Sequence, residues 1–211
     1  MPSTPDPTTD RRSLLKERHR RAIIDAAAAI MAATESIEFT VDELAERANV
    51  SRRTVFNHFP SLDDVLIAVC GELLGGLFAQ FALGAPEGTK GSVLDEVAEA
   101  LRNVELVEPM AYLTRVFGGD QDPPPPRSAV MLLRAFTELS TLLAQLIAER
   151  HPEADELSVH LLVSSIASGL IVIHRHWYEA TGAVVDAHSH RVWQELMERL
   201  ITHVRNGSGA L

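Results

Sequence analysis

Arg52, Arg53, Thr54, Asn57 and His58 fall within seven residues, and no carboxylate interrupts them. Each of these side chain types has a partner on a DNA duplex. Arginine pairs bidentately with guanine, asparagine with adenine, and threonine offers a hydroxyl and a methyl group to thymine. Val55 and Phe59, four residues apart, fall on one helical face and turn inward, which leaves the polar side chains outward or flanking. Either Arg52 or Arg53 could be the one facing the groove floor. The same pattern on a solvated helical hairpin would have no partner, so the elements that carry it decide between the readings.

Other chemistry is sparse. No G-x-S-x-G, H-E-x-x-H, P-loop or G-x-G-x-x-G pattern occurs, and no catalytic constellation stands out. The single cysteine, Cys70, cannot form an internal disulfide, and on an apolar helix it is a small core residue. His174, His176, Asp186, His188 and His190 contain nitrogen and oxygen ligands. His174 and His176 are two apart on a helix and face different ways, so no metal and no cofactor is expected.

The polar face needs two short helices to present it. Thr40, three residues before Glu43, forms a capping box that starts a helix at Val41, with Phe39 and Leu44 at the positions of a hydrophobic staple. That helix ends near Ala48, and Asn49 tolerates the left-handed backbone of a sharp turn. Ser51 caps a second helix, Arg52 to His58, with Val50 and Val55 repeating the staple. Two capped helices joined by a short turn are a helix-turn-helix, whose second helix lies in the DNA major groove.

With T-x-x-E-L-A-x-x-A-x-V-S from Thr40, T-V-F-N-H-F-P-S from Thr54 and the apolar helix from Val65, about the first third of the chain resembles the DNA-binding domain of the TetR family of bacterial transcriptional regulators. The resemblance implies an all-α fold with a three-helix DNA-binding head, a larger helical ligand-binding body, and a homodimer made through the last two long helices. Members are mostly repressors released from DNA by a small molecule. The expected contact surface is Thr40, Ser51, Arg52, Arg53, Thr54, Phe56, Asn57 and His58, with Arg20 and Arg21 on the preceding helix. Two positions depart from the family, which commonly carries Tyr at Phe56 and Lys at Leu62. Without those two phosphate contacts, the head should lean on residues 11–21, Thr40, His58 and the helix N-terminus after Ser61.

The net charge of −10 counts against nucleic acid until its distribution is considered. Residues 11–21, RRSLLKERHRR, hold six basic groups against Glu17, so the acidity belongs to the rest of the chain. Such a run beside a helix-turn-helix points to phosphate contact and steers DNA to one end. At 46% hydrophobic and 23% charged the chain is an ordinary globular protein, not a disordered one. With no signal sequence, a cytoplasmic location is expected, and the apolar stretch Val159 to Ile173 is too short to span a bilayer.

Residues 1–9 are expected as a tail, 10–60 as the DNA-binding domain, 61–205 as the ligand-binding and dimerisation domain, and 206–211 as a second tail. A first helix from about Asp10 to Ala33 buries Ile23, Ala27, Ile30 and Met31. Ser61 and Asp64 begin a fourth helix that runs to about Phe81 and links head to body. Then come a loop at 84–91, a helix from Ser92 to Val107, a short helix from Met110 to Phe117 and a stiff connection at 118–126. Long helices follow at about 127–150, 155–180 and 190–205.

From Val159 to Ile173 the chain is apolar or small nearly all round, and the last helix has a wide apolar stripe, so both must be covered on more faces than one chain provides. Ser164, Ser165, Ser168 and Gly169 would admit a close helix. A four-helix bundle between two chains fits this, with Ser168, Val172, Trp193, Leu196, Met197 and Leu200 at the homodimer interface. An effector pocket is implied by the resemblance more than by the residues. Phe78, Phe81, Met110, Tyr112, Phe117, Leu133, Phe136, Ser165 and His174 are its candidate lining, and so few polar groups imply a small, largely apolar effector. The function expected is a ligand-responsive regulator, a repressor that binds a palindromic double-stranded operator as a homodimer, and not an enzyme. The alternatives are a DNA-binding dimer without an effector and an enzyme on a helical scaffold.

Overall fold

A computed structural model describes residues 7–84, 92–118 and 125–207, with side chains for 13–73, 75, 76, 92–118 and 125–207. Among the described residues there are nine α-helices and no strand: α1 (Pro7–Thr34), α2 (Val41–Arg47), α3 (Arg52–His58), α4 (Leu62–Gly84), α5 (Val93–Asn103), α6 (Val107–Val116), α7 (Pro126–Arg150), α8 (Glu156–Thr181) and α9 (Ala187–Asn206). They form two compact units. The first takes the described residues up to Cys70 and those of Arg115–Met131; the second takes those of Gly71–Thr114 and Leu132–Leu211. Helices α4, α6 and α7 each contribute residues to both.

In the first unit α1, α2 and α3 pack pairwise. Ile23, Ala27 and Met31 on α1, Leu44 on α2 and Val55 on α3 are all but inaccessible, with Phe59, Val65 and Leu66 buried beside them in sequence. The 3.6-residue period places these apolar groups on one face of each helix. The expected caps are present. Thr40 and Glu43 close the capping box, Ser51 Oγ accepts from the Thr54 N–H, and Asn49 adopts φ 52° in the turn between them. Asn49 N–H donates to the Glu46 carbonyl and Val50 N–H to that of Ala45, which accounts for backbone groups exposed by the end of α2.

The second unit is organised on the α8–α9 pair, with α5 packed on α9. Gly182 (φ 62°) and Ala183 (φ 56°) turn the chain between them. Trp177 is fully buried, and its indole Nε1–H reaches Ser189 Oγ at 2.7 Å. The Trp193 ring meets it edge-on at 5.4 Å, a favourable geometry for two aromatic quadrupoles. Gly169 lets the two helices close up, since a β-carbon there would overlap the Leu200 side chain.

Several expected boundaries shift. Helix α1 begins at Pro7 and not Asp10; residues 1–6 lie outside the described residues, as do 85–91, 119–124 and 208–211 of the expected loops and tail. Helix α5 stops at Asn103, because Val104 is extended, and α6 starts at Val107, with Pro109 as its third residue. A proline in the first turn interrupts no intrahelical bond. Helix α9 starts at Ala187, not His190, because Asp186 caps it through the Ser189 N–H at 2.8 Å. Helices α7 and α8, at 25 and 26 residues, are long and apolar enough to cross a membrane by length and composition, and α8 includes the apolar stretch Val159 to Ile173. Arg134, Glu138, Ser164, Ser165, Ser168 and Arg175 nevertheless stand exposed along them.

Candidate nucleic-acid interface

Helix α3 presents Arg52, Arg53, Phe56 and Asn57 exposed, with Thr54 and His58 partly so. Arg52 is already engaged, its guanidinium 3.3 Å from the carboxylate of Asp42 on α2. Arg53 makes no ion pair among the described residues, and it is the arginine whose charge is fully available. Ser51 and Thr54 share a hydroxyl contact at 2.8 Å, and the Thr40 hydroxyl donates to Glu43 at 2.8 Å, so these three hydroxyl groups are committed to capping. Thr40, backbone and side chain, holds the Glu43 carboxyl below its usual range.

Helix α1 adds to the same unit. The Arg20 guanidinium lies 4.5 Å above the Phe59 ring, a cation–π contact that ties it to the end of α3. Arg21 pairs with Asp25 at 3.1 Å. His19 and His58 meet edge to face at 6.1 Å. Burial lowers the His58 pKa, and the positive charges of His19, Lys16 and Arg20 lower it further. Such a concentration of cationic groups disfavours one more proton and favours an anion.

A clamp that sequence reading missed holds the motif in place. Arg127, in the first turn of α7, reaches Asp63 of α4 at 2.8 Å and Glu38, just ahead of α2, at 3.1 Å. The partners are 64 and 89 residues away, so no local spacing announces them. Arg115 likewise pairs with Glu35 at 2.9 Å. Together they pin the connection into the helix-turn-helix.

The expected effector residues differ in burial. Phe78 and Phe81 fall on α4 beyond the described side chains. Phe117 is core of the first unit, Leu133 is 67% exposed, and Ser165 is exposed with its hydroxyl turned to the Leu161 carbonyl. Met110, Tyr112 and Phe136 are half-buried. His174 has a partner that the sequence did not suggest, the buried Thr114 of α6, whose hydroxyl lies 2.8 Å from Nε2. Burial depresses the His174 pKa, which favours the neutral ring.

Of the expected interface residues, Trp193, Met197 and Leu200 are buried within their own chain, Leu196 is half-buried, and Ser168 and Val172 are exposed. Ser165, Ser168, Val172, Leu196 and Leu200 line one wide groove on the α8–α9 pair. Leu157, Leu161 and Ile171 add exposed apolar surface to α8. Of the histidines named from the sequence, His174 faces Thr114, and His176 is near Glu179. His190 instead meets Glu105 and Glu108.

Residues 23–69 match the family described as bacterial regulatory proteins, tetR family. No curated protein sequence matches. Among solved structures, Thermus thermophilus FadR, a TetR family transcriptional repressor in complex with lauroyl-CoA, superimposes with a TM-score of 0.57 at 23% identity over 91% of this chain and 96% of that one. The TetR family repressor AlkX from Dietzia sp. strain DQ12-45-1b gives 0.57 at 13% identity over 88% and 97%. The fatty acid degradation regulator FadR from Bacillus halodurans gives 0.53 at 18% identity over 90% and 96%. These likenesses show a common fold along nearly the whole length. The helix-turn-helix head thus lies within the segment that matches the tetR family of bacterial regulatory proteins, and the chain shares the fold of these solved structures.

Proposed function

We propose that the protein is a ligand-responsive repressor that binds a pseudo-palindromic operator as a homodimer in the cytoplasm. The observation that carries this reading is the outer face of α3, where Arg53 and Asn57 stand exposed on a doubly capped helix-turn-helix beside a basic α1. Such a face offers bidentate donors to base edges and a cationic flank to phosphates. A two-fold dimer would set two of these helices in successive major grooves, roughly 34 Å apart or a multiple of it.

The effector is proposed to be a small, largely apolar molecule. The lauroyl-CoA held by the Thermus thermophilus protein makes a fatty acyl group the first chemistry to try. The experiment is a fluorescence-anisotropy titration on DNA flanking the protein's own gene, with and without acyl-CoA. Saturable binding at one site, lost on adding the effector, is the expected result. Equal affinity for random DNA of the same length would overturn the regulator reading, and operator binding indifferent to every apolar ligand would leave a dimer without effector.

A further inference from the structure

Glu105 lies in the extended connection between α5 and α6, Glu108 in the first turn of α6, and His190 in the first turn of α9. One ligand atom from each lies within 4.8 Å of the other two. The chain therefore brings two carboxylates and an imidazole, from positions 85 residues apart, to a single point of the second unit. None of the three is among the residues expected to contact DNA or to line an effector pocket.

Two features favour a cation at that point. The first is the tautomer of His190. Its Nδ1 lies 2.8 Å from the Asp186 carbonyl. A carbonyl oxygen only accepts, so Nδ1 carries a hydrogen, and Nε2 is the ring atom directed at the carboxylates. This is the arrangement by which a carbonyl fixes a metal-binding histidine. The second is spacing. Nε2 lies 3.5 Å from Glu108 Oε1 and 3.6 Å from Glu105 Oε1, too long for a strong hydrogen bond. Ligand bonds of about 2.0–2.1 Å in tetrahedral array place neighbouring ligand atoms about 3.4 Å apart. Glu105 is further oriented by the Val107 N–H, which donates to its Oε1 at 3.0 Å. Glu105 and His190 also line a groove of about 380 Å³ between the α5–α6 connection and α9, which gives an ion and its waters a way in.

We propose that Glu105, Glu108 and His190 form a binding site for a divalent transition-metal ion, of which Zn²⁺ is the probe. One nitrogen and two oxygen ligands suit a borderline ion better than Ca²⁺ or Mg²⁺, which take oxygen throughout. Remaining positions are open to water from the groove. The bound ion would fasten the start of α6 to the start of α9.

The test uses the full chain, treated with EDTA and exchanged into chelator-free buffer, titrated with ZnCl₂ by calorimetry and followed by thermal melting. Wild type should take up one ion per chain and melt higher with it. Glu108→Gln and His190→Ala should each bind about tenfold more weakly or worse, because even groups one shell further out contribute that much. Glu105→Gln is the conservative variant should His190→Ala fold poorly. His176→Ala, an exposed histidine elsewhere on the unit, should bind as wild type does. Co²⁺ in place of Zn²⁺ should give visible bands that Glu108→Gln alters. Absence of uptake by wild type, with a proton on Nε2 as the sole occupant, would overturn the proposal. So would equal uptake by wild type, Glu108→Gln and His190→Ala.

Discussion

Arg52 and Arg53 are adjacent and chemically identical, yet only Arg52 is held by a neighbour, the carboxylate of Asp42. The pair is exposed and weak, but it draws the Arg52 charge back along α2, leaving Arg53 to project unopposed. Arg53→Ala should therefore weaken operator binding by about 1–3 kcal/mol and random DNA by less, whereas Arg52→Ala should lower both alike. Anisotropy titrations on the two duplexes distinguish them; equal losses for Arg53→Ala would make it a phosphate contact. His58 gives a pH dependence whose sign is fixed. Its folded pKa lies below the ordinary 6.5, by burial first and then by His19, Lys16 and Arg20, with Glu17 opposing. The unfolded chain then binds the proton more tightly. The stability of the head is full above pH 6.5 and falls as pH drops through 6.5 towards the folded value. Melting curves between pH 7.5 and 5 should show this loss, and His58→Gln should reduce it; an unchanged slope in the variant would place the titration elsewhere.

At the scale of the element, the parts that were legible in the sequence are those encoded within a few residues. Thr40 with Glu43 and Ser61 with Asp64 are capping pairs three apart, Ser51 caps α3 through Thr54, and each forms in the structure, while Ser92 with Asp95 and Asp186 with Ser189 repeat the spacing unread. Ser51→Ala should lower the stability of the head by about 1 kcal/mol in chemical denaturation without DNA, the usual cost of losing such a cap. What the sequence did not show depends on side chains meeting across the chain: the Arg127 clamp on Asp63 and Glu38, the Thr114–His174 contact, and the meeting of His190 with Glu105 and Glu108. The expected effector lining rests on apolar spacing alone. An apolar residue at helical spacing states that it is covered, not by what, and Phe117 is covered as core of the first unit. Gly169 was read as room for an approaching helix, and the helix that takes the room is the chain's own α9. Leu62, half-buried at the start of α4, bears on the salt dependence of DNA binding. Leu62→Lys should tighten binding and steepen the slope of log K against log salt by about one phosphate's worth. An unchanged slope would place that helix N-terminus away from the DNA backbone.

For the whole molecule, the proposed dimer rests on what one chain leaves uncovered. Trp193, Met197 and Leu200 are already buried by α8 and α9 packing on each other, while Val172 is 56% exposed, Ile171 52% and Leu161 59%. An apolar surface of this kind on one helix face suits the proposed dimer, and a stable homodimer needs roughly 2,000 Å² in total. Val172→Glu should then dissociate the dimer in sedimentation while leaving the protomer folded, and Trp193→Glu should unfold it. Release by an effector adds a thermodynamic constraint. Helices α4, α6 and α7 each contribute residues to both units, so a ligand held by the second would have continuous backbone through which to bias the first. Whatever factor an acyl ligand takes from operator affinity, the operator must take from ligand affinity, because both are one coupling free energy. Titrating the ligand into free protein and into the operator complex should give affinities that differ by the same ratio as operator affinities measured with and without ligand. A ligand that binds tightly to the free protein and equally to the complex would show that its site is not coupled to the head.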